Sequence, residues 1–206
     1  MFATFKSTFH QDDRERVASV EGAPKSGDLN VDQLLQLFSG KSFNGGLYRI
    51  VPAGTLQRWN ERASAAFPSF AGRLTCFGMD WLGRAFAVDA SRQVEGAPGV
   101  VLLEPGTGEV LEIPCNVRSF HEVELVSYRE EALAESFYKE WRATGASAPG
   151  FNECIGYKRP LFLGGSDTVE NLEVTGLEVY WELAGQLLAK ARGLPIGAPI
   201  GSVTIR

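Results

Sequence analysis

The sequence predicts an α+β fold built on a central, mainly antiparallel sheet with helices on one face. Three observations predict it. Residues 73–114 hold four short apolar stretches separated by turns that carry glycine or proline, which is the pattern of a meander. Stretches with apolar residues at helical spacing bracket that run before and after. The connections inside the run are too short for the crossover that parallel strands need.

Residues 1–28 carry the mixed charge run Asp12, Asp13, Arg14, Glu15 and Arg16 and a break at Gly22-Ala23-Pro24. They read as an N-terminal arm with at most one short ordered piece, and residues 29–206 read as a single α+β domain. A helix starts near Asn30, the expected cap, with Gln33 as its reciprocal partner. Val31, Leu34, Leu35 and Phe38 share its buried face, and Gly40 ends it. Leu47–Ile50 reads as a short strand stopped by Pro52. A second helix buries Leu56, Trp59, Ala63 and Phe67 and closes at Pro68.

Within the meander, Arg73–Phe77 and Arg84–Asp89 flank a turn at Gly78–Gly83. Gly99–Glu104 and Glu109–Ile113 flank a turn at Pro105–Gly108. Ser119 with Glu122, and Ser127 with Glu130, look like capping boxes opening two helices, the second with Leu133, Phe137 and Trp141 on its inner face. Ile155–Leu163 reads as strand-like, with Pro160 marking an edge or a bend. The last helix runs from about Gly176 to Arg192 and buries Leu177, Tyr180, Trp181, Ala184, Leu188 and Ala191. A final strand at Ser202–Ile205 can close the sheet.

The chain has 206 residues, 44% hydrophobic and 22% charged, enough for one sizeable core. Lys and Arg number 20 against 25 Asp and Glu, a net charge of −5, and no basic run occurs. Direct nucleic-acid binding is disfavoured, because phosphate contacts need basic side chains. A basic protein partner suits such a surface. Cys76, Cys115 and Cys154 are far apart, so neither a zinc site nor a disulfide framework is expected, and a reducing compartment is the natural reading. No signal-peptide pattern and no membrane-length apolar run is present, so the expected location is the cytoplasm.

Candidate chemistry is sparse. His10 lies in the arm, and His121 reads as a solvated helix residue. Cys154 reads as an inert thiol despite Lys158 and Arg159 nearby. Gly164–Thr168 lacks the spacing of a phosphate-binding loop. No cofactor, metal or catalytic residue is expected, and the chain does not read as an enzyme. The carboxylates Asp167, Glu170 and Glu173, with Glu178, span a loop and a helix start, as either a solvated rim or a binding patch. Asp80 and Trp81 lie in a turn between strands. An aromatic beside charges is what interface centres use, and the alternative for Trp81 is a fold back into the core.

Phe77–Asp89, with the sequence FGMDWLGRAFAVD, resembles the signature segment of immunity proteins paired with DNase effectors of bacterial type VI secretion. The resemblance extends through Asn44–Ile50, Glu153–Lys158, Pro160–Gly165 and Glu178–Trp181, and spans roughly residues 30–205. It implies a protein that binds a cognate toxin, a DNase effector, and occludes its active site or substrate groove. Asp80, Trp81, Asp167, Glu170 and Glu173 are then the expected partner-binding residues. The order of helix, meander and Ser119-Phe120-His121-Glu122 helix also resembles the wider SUKH superfamily. That resemblance keeps open an interaction adaptor without a toxin. A small-molecule enzyme with an unplaced carboxylate pair is the third reading.

Overall fold

Six strands pair in sequence order, each antiparallel to its neighbour. They are β1 (Ser42–Phe43), β2 (Tyr48–Ile50), β3 (Leu74–Asp80), β4 (Ala85–Val94), β5 (Ala97–Glu104) and β6 (Glu109–Asn116). The computed structural model describes residues 1–13 and 26–193. The expected meander is present, and β1 and β2 extend it, with Tyr48 opposite Asp80 and Ile50 opposite Gly78. The strand expected at Ser202–Ile205 lies outside the described residues.

Helices cover both faces of the sheet, not one. The reason is visible in β4 and β5. Ala85–Val88 and Val100–Leu103 are buried at every position, and successive strand residues point to opposite faces. On one face the rings of Phe77 and Phe86 meet Phe120 at 5.8 and 4.9 Å. On the other, the Cys76 thiol lies 3.8 Å from the Trp59 carbonyl of α3 (Leu56–Ala66). As neighbours on β3, Cys76 and Phe77 serve these two sides, and the pairing with β4 shifts register between Cys76 and Gly78.

The start of the expected arm is part of the core. Helix α1 (Ala3–Thr8) brings Phe2, Phe5 and Phe9 inside, and the Phe5 ring packs edge-on against Phe38, Phe43 and Tyr48. Helix α2 (Leu29–Phe38) is capped by Asp28, not Asn30: the Asp28 carboxylate accepts the Val31 N–H at 2.8 Å. Val31, Leu34, Leu35 and Phe38 are buried as the spacing requires.

After β6, α4 (Val117–Ser119), a π turn (Phe120–Glu124) and α5 (Leu125–Ser127) run on as one helical stretch. Its capping box sits three residues earlier than expected, with Asn116 as cap and Ser119 as the reciprocal partner. The wide turn sends both Phe120 and His121 inward. His121 is therefore core, not solvated. Helices α6 (Arg129–Leu133) and α7 (Glu135–Ala143) follow. The strand-like stretch after them divides into β7 (Glu153–Tyr157) and a single 3-10 turn at Leu161–Leu163. Strand β8 (Leu172–Gly176), unpredicted because its pattern is acidic, pairs with β7 as a separate two-stranded sheet. Helix α8 (Leu177–Ala191) closes the described chain and packs on α3, with Trp181 edge-on to Trp59 and Phe67.

Candidate partner-binding face

The turn between β3 and β4 is gripped from four directions. Asp80 accepts the Arg84 N–H at 2.9 Å and its guanidinium Nε at 2.6 Å. Arg84 also donates to the Ala132 carbonyl at 3.1 Å, and the Trp81 indole donates to the Leu133 carbonyl at 2.8 Å, so α6 is tied to the turn twice. The Trp81 carbonyl accepts the Ile155 N–H of β7 at 2.8 Å, and the Gly83 carbonyl accepts the Trp181 indole of α8 at 2.7 Å. Arg49 of β2 reaches across to the carbonyls of Asp80, Gly150, Phe151 and Glu153.

Asp80 and Trp81 are both 0% exposed. The expectation that they lie on an exposed loop is corrected. β3 extends through Asp80, leaving a turn too short to reach solvent, and the indole fills the space beside Phe137 and Tyr138. Burial pushes the Asp80 carboxyl above its ordinary range, and Arg84 and Arg49 pull it back. A buried charge needs such partners, and Asp80 has them in Arg84 and Arg49.

The other three residues are exposed. Asp167 accepts the Tyr157 hydroxyl at 2.6 Å, which fixes the carboxylate at the end of β7. Glu170 precedes β8, where Lys158 Nζ holds its backbone carbonyl at 2.7 Å. Glu173 lies within β8 opposite Gly156, next to Val174, which is 45% exposed. The structure adds two carboxylates that the sequence did not single out. Glu104 and Glu109 flank the Pro105–Gly108 turn, and Leu161 N–H donates to the Gly106 carbonyl at 2.8 Å, tying that turn to the loop after β7. Burial raises the Glu104 carboxyl; Arg84 opposes, while Asp80, Asp167 and Glu109 raise it further. The available signal was the pair of glutamates at the two ends of a recognised turn.

No cluster of metal-ligating side chains occurs among the described residues. Cys154 is buried, and burial pushes its thiol up to about 12, which suits an inert side chain. No helix among the described residues is long and apolar enough to cross a membrane.

Residues 116–188 match the family model described as T6SS immunity protein Tdi1, C-terminal. The matched segment runs from the Asn116 cap to Leu188 in α8. It contains Asp167, Glu170 and Glu173 and leaves the β3–β4 turn outside. The resemblance read over residues 30–205 thus meets the family model over its second half. A family of type VI secretion immunity proteins implies a cognate toxin as partner, and such proteins generally have no enzymatic role. The chain is also similar to a solved structure, the crystal structure of Atu4351 from Agrobacterium tumefaciens, with a TM-score of 0.57 at 13% identity over 90% of this chain and 89% of that one. At that identity the likeness concerns the fold alone, an α+β architecture shared over nearly the whole chain. No curated protein matches the chain.

Proposed function

We propose that this chain is the immunity partner of a type VI secretion nuclease toxin, acting in the cytoplasm of the producing cell, and that it neutralises the toxin by laying an acidic face over its substrate groove. The observation that carries the reading is the row of exposed carboxylates Asp167, Glu170 and Glu173 on the loop before β8 and on β8, with Asp167 fixed by the Tyr157 hydroxyl at 2.6 Å. A cationic partner gains on-rate and specificity from complementary charge on such a face. A nuclease groove, built to attract a polyanion, is such a partner. The exposed Val174 lies beside Glu173 on β8, where an apolar contact can slow dissociation. The net charge of −5 points the same way and argues against competition for the nucleic acid itself.

Asp80 and Trp81 act from beneath in this reading. They hold α6 and β7, and through β7 the Tyr157–Asp167 contact, in place. The test is co-expression with the toxin encoded beside this chain. Wild type should preserve cell growth and intact DNA. A combined Asp167→Lys, Glu170→Lys, Glu173→Lys variant that remains folded should lose protection. Full protection by that variant contradicts the proposal.

A further inference from the structure

Strand β8 pairs only with β7, and that pairing fixes which of its backbone groups are used. In an antiparallel pair, opposite residues alternate between exchanging hydrogen bonds and turning their N–H and C=O groups away from each other. The Lys158 N–H donates to the Asn171 carbonyl at 2.7 Å, so the pair just beyond the strand ends is a bonded one. The register then runs without a shift from Tyr157 opposite Leu172 to Glu153 opposite Gly176, which makes Ile155 and Val174 a pair of the second kind. Two bonds agree. The Ile155 N–H donates away from β8, to the Trp81 carbonyl at 2.8 Å, and the Glu153 N–H donates to the Gly150 carbonyl at 3.1 Å. By the same alternation, the N–H and C=O of Val174 both point away from β7.

Val174 is 45% exposed, with Glu173 and Gly176 exposed on either side of it. Among the described residues no hydrogen bond reaches its outward groups. A free edge is a template for another strand, and proteins commonly guard such edges with lysine, proline or a bulge. The outer strand of the large sheet, β6, carries Pro114. β8 has none of these guards: it reads Leu172, Glu173, Val174, Thr175, Gly176. Its one charge is Glu173, with Glu170 exposed just before the strand. That charge selects by sign. A second copy of this chain would bring the same carboxylates to the edge, and like charges oppose such a pairing. A strand that carries lysine or arginine is attracted.

We propose that the outer edge of β8 is where an extended, cationic segment of the toxin adds as a further strand, its backbone paired to Val174 and its basic side chains beside Glu173 and Glu170. The inference deepens the toxin reading and rests on it. It assigns the contact that follows electrostatic encounter: main-chain bonds hold the partner, and the flanking side chains select it.

Val174→Pro tests this at one atom. Proline removes the outward N–H, which the β7 pairing does not use, and edge positions of this kind accept proline. The toxin encoded beside this chain is titrated by calorimetry against wild type, Val174→Pro and Val174→Ala, with a melting temperature for each. Val174→Pro should bind at least about ten-fold more weakly, while Val174→Ala, which keeps the N–H, should lose less. Hydrogen exchange of the wild-type complex is the second measurement and needs no variant. The Val174 amide should exchange at least about ten-fold more slowly in the complex than in the free chain. An unprotected Val174 amide in the complex, equal losses in the proline and alanine variants, or a folded Val174→Pro that binds like wild type overturns the proposal. If Asp167→Lys/Glu170→Lys/Glu173→Lys still weakens binding in that case, the toxin reading stands without it. If wild type binds no toxin, both fall.

Discussion

The Tyr48 hydroxyl lies 3.0 Å from Nε2 of His121, while Nδ1 of the same ring lies 2.7 Å from the Val117 carbonyl oxygen. A carbonyl only accepts, so Nδ1 carries the proton and Nε2 accepts from Tyr48. Tyr48 reaches this position because Gly78 leaves its path open: a Cβ there would sit 2.4 Å from the hydroxyl. The imidazole is held neutral among Phe5, Phe77 and Phe120.

Acid should therefore destabilise the fold through His121. Burial pushes its pKa down to about 4. The unfolded chain takes up a proton near the ordinary value of about 6.5 while the folded chain does not. The stability from neutral His121 is complete above about pH 6.5 and is lost as the pH falls toward about 4, by roughly 3 kcal/mol. Urea unfolding at pH 7, 5 and 4 should show a steeper acid loss in wild type than in His121→Gln. Equal slopes would contradict the neutral assignment.

Trp181→Ala should cost about 3–5 kcal/mol. Trp181 is 1% exposed, meets Trp59 and Phe67, and donates to the Gly83 carbonyl. Thermal or denaturant melting checks this, and a wild-type midpoint would mean that α8 does not pack as described.

This helix is also where the sequence was most legible. Leu177, Tyr180, Trp181 and Ala184 follow helical spacing and are buried together. The meander was legible for the same reason, since apolar runs broken by turn residues leave few alternatives. β8 was not, because Glu173 and Val174 face solvent and leave no alternation. The burial of Asp80, Trp81 and His121 was hidden too. Their partners are carbonyls at Leu133 and Val117, the Arg84 guanidinium and the Tyr48 hydroxyl, which only the folded chain assembles.

Asp80→Ala should be more damaging than its size suggests. It leaves the buried Arg84 guanidinium without its carboxylate, and breaking such a pair costs about 3–5 kcal/mol. A loss below about 1 kcal/mol in denaturant melts would show that the turn is not held by this pair.

Gly83→Ala should also destabilise, by at least about 1–2 kcal/mol. Gly83 has φ +77°, and a Cβ there would lie 2.9 Å from the Cys154 sulfur. Cys154→Ala in the same chain should recover part of the loss by making room. If the double variant were no more stable than Gly83→Ala, the contact with β7 would not be the cause.

The most direct test of the acidic face is the association kinetics of the chain with its cognate toxin, measured at low and physiological salt for wild type and for Asp167→Lys/Glu170→Lys/Glu173→Lys. All three side chains are exposed, but Asp167 also accepts the buried Tyr157 hydroxyl, so thermal melting first establishes that the variant is folded. The account predicts an on-rate at least about ten-fold lower for the variant and a weaker dependence on salt. An unchanged on-rate and salt dependence, in a variant that stays folded, would contradict it.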